Sequence, residues 1–545
     1  MQRMSEVPVL IVGAGPVGLY LAVELGQRGI DCLVVERRTG EIKVPKMNLV
    51  HVRTMEHIRR LGLEQQVREA GWPHDFPLDV VLHTGLHGHE IIRFAFPSDD
   101  QRDDSAFTPA PLQRCPQMFF DPILLKTARS LSAVTVRHQT QMQSFDQDED
   151  GVTVKLVDLT NGEEDTVRCR YLVACDGADS PVRNALGIPL EGRNVLDHNM
   201  NVFFRSEELL EANPMGRASN YFELGARGIE RVLSPIDGKS LWRLGAKVPA
   251  DQTVEDYDAN KEIRDVLGDE IPFELLSVLK WARREVVAGS MRKGRIFLAG
   301  DAAHQLTPNG GQGMNTGIGD AVDLAWKLNA VLDGWAGDSL LNTYEAERKP
   351  IATQVVQTAT GYFQKLVNMP TSPIVGDDTD EAAEARKAIA DYCHQVEVHF
   401  SHESEGLQLN ICYEGSPIVV ADGTSAPAFS DARPIQSARP GARAPHAWIS
   451  PGKSTLDLFG GGFTLLAFED ADVEPLRSAA STLGVPLRIE RVDQVDILAL
   501  YERRLVLVRP DGYVAWRGDN CPKDVEALLN TVRGGAVERS TALAG

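Results

Sequence analysis

The sequence contains no C-x-x-C pair. Its seven cysteines, Cys32, Cys115, Cys169, Cys175, Cys393, Cys412 and Cys521, are odd in number and scattered along the chain. A disulfide framework and a cysteine zinc site are excluded, no metal is expected, and a reducing compartment is implied. Positive charge is scarce too: 56 Lys and Arg against 77 Asp and Glu give a formal net charge of −21, with no basic run anywhere. Nucleic-acid binding needs a basic face, so that partner class is excluded. Unbroken apolar runs of about 20 residues, the length of a membrane span, are missing as well. The nearest candidate, Val7 to Val23, is interrupted by Gly13, Gly15, Pro16 and Gly18. A cytoplasmic protein without a membrane partner is the expectation. With 545 residues the chain exceeds one hydrophobic core and implies several domains.

What is present begins at the N-terminus. Pro8 to Val12 is a short β-branched apolar run, the signature of a buried parallel strand. It leads into Gly13-Ala14-Gly15-Pro16-Val17-Gly18, then a helical pattern (Leu19, Leu21, Ala22, Leu25), then a second strand, Cys32 to Val35, ending on Glu36. This is a complete β-α-β dinucleotide unit. The glycines serve a tight turn, close approach to a pyrophosphate and close helix–strand packing, and the acid accepts hydrogen bonds from a ribose. The 2′-phosphate of NADP would meet the Glu36 carboxylate, which leaves FAD or NAD for this unit. No second strand–GxGxxG–helix unit occurs. A further nucleotide must therefore visit without a domain of its own.

Two more apolar strands end on acids. Arg170 to Cys175 runs into Asp176-Gly177, with Ser180 and Arg183 following; an Asx-type turn capping a helix is the plainer alternative. Ile296 to Ala299 runs into Gly300-Asp301 and a loop, Pro308-Asn309-Gly310-Gly311-Gln312-Gly313-Met314-Asn315, stripped of side chains before a helix starts. Glycine is entropically costly there, so something must approach the backbone closely. Ligands sit at the carboxyl edge of a doubly wound sheet, which is where these motifs fall.

The ordered trio GAGPVG, CDGADSPVR and GDAAHQLTPNGGQGMN resembles the flavin-dependent aromatic hydroxylases built like para-hydroxybenzoate hydroxylase, closest to the larger phenol and polyketide hydroxylases, over residues 7–365. The resemblance implies bound FAD held by Gly13, Ala14, Gly15, Pro16, Gly18, Glu36 and Arg37, then Asp176 and Gly177, then Asp301. It adds Arg53 in VRTMEHIRRLGL and Gln117 in CPQMFFDPILL. The family commonly has PRA where this chain has Pro45-Lys46-Met47, and Glu where it has Asp121, so Lys46 is carried over on a changed motif. It also places the flavin ring beside Pro308, Gly311, Gly313, Met314 and Asn315, where the following helix offers partial positive charge to the reduced ring. His304 is expected to be structural rather than a base.

Residues from about 195 to 285 alternate like strands of an open-faced sheet with a hairpin turn at Asp237-Gly238. In the family such a sheet covers the substrate side of the flavin; candidate lining residues are Phe203, Asn220, Tyr221, Arg231 and Trp242, with Tyr221 and Arg231 ranked first. The expected class is α/β, α+β in the middle: a doubly wound FAD-binding sheet (1–195, with substrate-domain insertions around 75–115, and 286–365), a substrate sheet (196–285), a helical or linker region (366–440) that includes a mobile excursion after 367, and a thioredoxin-like tail (441–545) without dithiol chemistry, suited to structure or homodimer support. The resemblance implies a monooxygenase that takes NADPH or NADH and O2, forms a C4a-hydroperoxyflavin and hydroxylates a small phenolic compound. A small catabolic phenol is the first expectation and a polycyclic polyketide aromatic an alternative. A flavin reductase of the prenyl-reductase type shares the first two motifs, and a non-catalytic FAD protein stays open; a flavin halogenase is disfavoured because no W-x-W-x-I-P stretch occurs.

Overall fold

A computed structural model of the chain describes residues 5–42, 48–398 and 404–535. Lys46 lies outside these described residues. Three principal sheets organise the chain. The first runs in the order Arg292–Lys293, Ile296–Leu298, Glu164–Ala174, Ser5–Val12, Cys32–Val35 and Val134–Arg137, and all pairings from Ile296–Leu298 onward are parallel. Leu10, Ile11, Val34, Leu172, Val173, Phe297 and Leu298 are fully buried, as expected where helices cover both faces of a parallel sheet. The helix Pro16–Gln27 follows the first strand, and Gln312–Leu332 packs against it.

The second sheet is ordered His304–Gln305, Glu274–Ala288, Leu190–Arg205, Leu241–Val248, Gly228–Pro235, Asn220–Gly225, Val80–His83 and Glu90–Phe94. Its two sides differ. One buries Val202, Phe204, Tyr221, Leu233, Trp242 and Leu244 against Ala259, Ile263 and Leu267 of the helix Ala259–Leu267. By the period-two alternation of strands, Asn201, Phe203, Asn220, Ser234 and Arg243 stand on the other side. That side meets the first sheet's domain: Arg283 donates to Asn309 Oδ1 at 2.9 Å, and Arg114 donates to the Pro235 carbonyl at 2.9 Å. The Asp237-Gly238 turn forms as its sequence implies, with Asp237 Oδ1 accepting from the backbone of Lys239, Ser240 and Leu241.

The stretch after 367 is a correction. Polar composition suggested a mobile excursion, yet Asp380–Gln395 is a helix, capped by Thr379, whose hydroxyl oxygen accepts from Ala382 N–H. Ile389 and Cys393 bury against Val80 and Leu82 of the second sheet. Alternation of Ala382, Ile389 and Cys393 at helical spacing supplies the apolar stripe that the acidic flanks obscure.

The last sheet is ordered Leu487–Val492, Phe463–Phe468, Leu505–Val508 and Val514–Gly518. It docks on the helix Gln312–Leu332: the Trp326 ring stacks on Trp335, with centroids 6.3 Å apart, and meets Phe463 edge-on. Beneath lies a fully buried ionic hub. Arg509 contacts Glu347, Asp511 and Asp323, and Lys327 Nζ donates to Asp323 at 2.7 Å and Glu347 at 2.6 Å.

Candidate active site

Parallel pairing aligns four strand carboxyl ends on one edge, which brings Gly13, Glu36, Asp176 and Gly300-Asp301 together. Gly13 has φ +108°, and a Cβ there would collide with the Cys175 carbonyl; a Cβ on Gly18 would strike the Gly13 carbonyl. These two glycines are required by the protein's own packing. Gly15 differs. Nothing lies within 4 Å of a Cβ placed there, so its freedom from a side chain serves a ligand above the turn. Gly15 also caps the helix Pro16–Gln27 with no side-chain acceptor and no acid in the first turn, leaving N–H groups and the positive dipole end to an anion.

Glu36 Oε2 accepts from Ala14 N–H at 3.0 Å and Oε1 from Arg38 N–H at 2.9 Å, so the carboxylate is fixed at the rim of that turn. Arg37 beside it is exposed. Asp176 Oδ2 accepts from Val182 N–H at 3.1 Å, while its buried Oδ1 has no partner among the described residues. Burial pushes its pKa above the usual carboxylate range. A buried unpaired carboxylate oxygen beside the Gly13 turn suits a ligand hydroxyl. Arg183 donates to the carbonyls of Ala178 and Ala302 at 3.0 and 3.1 Å and ties the Asp176 turn to the Asp301 turn. Asp301 itself is exposed on the same edge. His304 is structural: fully buried, its Nε2 lies 2.7 Å from Asp320 Oδ2, and Arg348 donates to the other oxygen.

The Pro308 loop is clamped from four sides. Thr307 Oγ1 donates to the Ala359 carbonyl and Arg283 holds Asn309. Asn315 Nδ2 donates to the Leu49 and Gly311 carbonyls, and its Oδ1 accepts from His51 N–H at 2.9 Å. His51 Nε2 lies 2.8 Å from the Gly310 carbonyl, so that nitrogen carries the proton; burial pushes the imidazole pKa down to about 4, which keeps it neutral. His51 was missed in the sequence because it sits in no glycine or acid motif. Gly311 begins the helix in a left-handed conformation at φ +65°, and Gly313 and Met314 occupy its first turn. A Cβ on Gly313 would find only Leu306, at 3.9 Å, so this turn too presents bare backbone.

Four expectations need correction. Arg53 is spent within the protein: it pairs with Glu56 at 2.8 Å and donates to the Asp511 carbonyl at 2.7 Å, joining the last sheet to the helix Val52–Arg60. Tyr221 is fully buried on the helix-covered side, its hydroxyl donating to the Gly216 carbonyl and accepting from Ala218 N–H. Arg231 on the same side is held by Glu262 at 2.6 Å and Glu223 at 2.8 Å. Trp242 follows them into that core. Strand parity excludes all three from the inner side, where Phe203 and Asn220 remain. Gln117 donates to Asp121 Oδ2 at 2.9 Å at the start of the helix Gln117–Ser130; burial pushes the Asp121 carboxyl up to about 7, and its Oδ1 has no partner among the described residues.

These residues fit a flavin dinucleotide, and comparison with known proteins decides the family. The FAD binding domain family matches residues 6–359 and the aromatic-ring hydroxylase C-terminal family matches residues 437–536. The chain belongs to the FAD-dependent aromatic-ring hydroxylases. Among these hydroxylases it is 34% identical to tetracenomycin B2 monooxygenase-dioxygenase of Streptomyces olivaceus, over 97% of this chain and 98% of that one. It is 30% identical to 2,4-dichlorophenol 6-monooxygenase of Cupriavidus pinatubonensis, covering 100% and 99%. The solved structure of RebC soaked with chromopyrrolic acid and bound to 7-carboxy-K252c superimposes with a TM-score of 0.92 at 40% identity, over 98% of this chain and 100% of that one. The protein is thus an FAD-dependent monooxygenase of the mixed α/β architecture expected from its motifs. No described helix is long and apolar enough to cross a membrane.

Proposed function

We propose that this chain hydroxylates a phenolic ring with O2, drawing electrons from NADH or NADPH. The observation that carries the reading is the meeting of the nucleotide-suited strand edge with a bare, clamped loop that faces the polar inner side of the second sheet. The N–H groups after Gly15 would bind the pyrophosphate, Glu36 the ribose hydroxyls and Asp301 the ribityl and pyrophosphate portion, with Asp176 beside them on the same edge. FAD, when bound there, supplies electron transfer from the nicotinamide and activation of oxygen. The first turn at Gly311 to Asn315 would offer partial positive charge to a flavin ring held beside the loop. His51, neutral and fixed on Gly310, holds the loop rather than moving a proton. Phe203 offers apolar surface to an aromatic ring, and Asn201, Asn220 and Ser234 offer hydrogen bonds to its hydroxyls.

Tetracenomycin B2 and dichlorophenol, named for two relatives, span polycyclic and single-ring substrates. Hydroxylation of a ring is the chemistry they share, and it is the reading extended to this chain. The test is oxidation of NADH and NADPH by the FAD-loaded protein across phenols of one to four rings, with hydrogen peroxide measured alongside. A phenol that accelerates oxidation while peroxide stays low supports the proposal. Acceleration by none, or peroxide accounting for every electron, overturns it.

A further inference from the structure

Two strands of the second sheet, Leu190–Arg205 and Glu274–Ala288, pair antiparallel along most of their length. Between Arg193 and Asp197 the first strand advances four residues while its partner, from Glu285 to Arg283, advances two. Such an irregularity re-aims the side chains that follow it. Past it, Asp197 stands directly across from Arg283 and Asn199 across from Trp281, and regular alternation puts all four on the inner side with Asn201 and Phe203.

The pair is enclosed. Its side chains are 8% exposed at Asp197 and 12% at Arg283. Arg283 Nε donates to Asp197 Oδ1 at 3.0 Å, and Asn199 Nδ2 donates to the same oxygen at 2.7 Å. The other end of the guanidinium turns to the bare loop, where Nη1 donates to Asn309 Oδ1, one residue from the Gly310 that His51 holds. The Phe363 ring covers the guanidinium, its centroid 4.3 Å away. Phe363 belongs to the helix Ser339–Val367, whose Ala359 carbonyl accepts from the Thr307 hydroxyl at the start of the loop. Sheet, helix and loop together fix one cation and one carboxylate beside Asn309.

Charges so enclosed are little screened by salt. Reduction adds electrons to a flavin ring held beside this loop, so a nearby cation favours the reduced ring and a nearby carboxylate the oxidised one. We infer that Asp197 and Arg283 are positioning residues of the flavin site, and that through them the second sheet fixes the loop at Asn309 and sets how readily a flavin beside it is reduced. The inference rests on the hydroxylase reading only for a flavin ring beside the loop, and goes beyond it in giving the substrate side of the protein a part in electron transfer.

The test is the flavin midpoint potential of the FAD-loaded full chain, measured against redox dyes with no aromatic compound present. Wild type, Arg283→Gln, Arg283→Lys, Asp197→Asn and the double variant Asp197→Asn/Arg283→Gln are compared, with melting temperatures alongside. Arg283→Gln is expected to move the equilibrium about tenfold toward oxidised flavin, a fall of about 30 mV for a two-electron couple. Asp197→Asn moves it by a similar factor the other way. Arg283→Lys, which keeps the charge, and the double variant, which removes both charges, stay within about threefold of wild type.

A pair that serves folding alone would lower both single variants' melting temperatures and move their potentials in one direction or not at all. That result overturns the inference, as does a double variant that keeps either single shift. Asp197→Asn and the double variant leave no buried carboxylate stranded and differ only at Arg283, so they carry the comparison if Arg283→Gln does not retain flavin. Equal potentials in those two overturn the inference as well. If the potentials move as stated and no phenol is hydroxylated, the pair stands and the hydroxylase reading fails. If a phenol is hydroxylated and the potentials do not move, the pair fails and the hydroxylase reading stands.

Discussion

His51 and Gly310, 259 residues apart in sequence, are joined by a 2.8 Å hydrogen bond from the imidazole to the carbonyl. With the backbone N–H of the same histidine donating to Asn315, one residue meets the loop at Gly310 through its side chain and at Asn315 through its backbone. His51→Ala leaves the Gly310 carbonyl buried without a donor, which costs about 1–3 kcal/mol. The expected result is FAD binding weakened by roughly tenfold or more, with the loop lost before the rest of the fold. Equilibrium dialysis of FAD and the holoenzyme melting temperature check it; unchanged values for both would contradict the role given to His51.

Acid sensitivity follows from two buried imidazoles. His51 and His446 both titrate at about 4 in the folded protein, against about 6.5 unfolded. Above the unfolded value neither group affects stability. Between about 6.5 and 4 the unfolded chain takes up protons that the folded one refuses, so stability falls by about 1.4 kcal/mol per pH unit for each group. Urea unfolding across that window should therefore show a slope reduced by about one proton in His446→Gln.

Asp121 acts with the opposite sign. Its carboxyl is raised to about 7 by burial, whereas the unfolded group ionises near 3.9. Stability from this group is complete below the unfolded value and is lost as pH rises through 7. In the FAD-free protein Asp121→Asn is expected to raise stability at pH 8 by up to about 4 kcal/mol and to change nothing at pH 3. Denaturant midpoints at the two pH values measure the difference.

The glycines of the first turn separate folding from binding. Gly13→Ala forces a Cβ into the Cys175 carbonyl at positive φ, so little folded protein is expected. Gly15→Ala meets no protein atom and keeps the fold, yet blocks close approach of a phosphate. Purified Gly15→Ala should melt within about 1 kcal/mol of wild-type FAD-free protein and retain markedly less flavin. Circular dichroism and the flavin-to-protein ratio distinguish the two.

Arg509 crosses from the last sheet to the helices under the flavin loop. Arg509→Met leaves Asp511 without a cation and Glu347 and Asp323 with Lys327 alone, an effect of about 3–5 kcal/mol. The expected readout is a large fall in the denaturation midpoint; a change below about 1 kcal/mol would mean the hub relaxes freely.

Much of the cofactor edge was legible because its chemistry is local. GAGPVG, Asp176-Gly177 and Gly300-Asp301 each lie within a few residues of an apolar strand, and parallel pairing does the rest. The hairpin at Asp237-Gly238 was legible for the same reason. The substrate side was not, because it depends on strand parity and on partners far away in sequence. Tyr221 and Arg231 look no different in the sequence from Asn220 and Arg243; only the helix Ala259–Leu267 on one side and Arg114 on the other separate core from cleft. Arg53 was misread because its partner Asp511 lies 458 residues along the chain. Helical periodicity in 380–395 was present but outweighed by acidic flanks.

The most direct test of the account is turnover of an accelerating aromatic substrate under ¹⁸O2 in ordinary water, followed by mass spectrometry of the product. One heavy oxygen atom on the ring, in proportion to the NAD(P)H consumed, is the result expected of a hydroxylase built on this edge and loop. Product oxygen drawn from water, or NAD(P)H consumed with the ring unchanged, would contradict it.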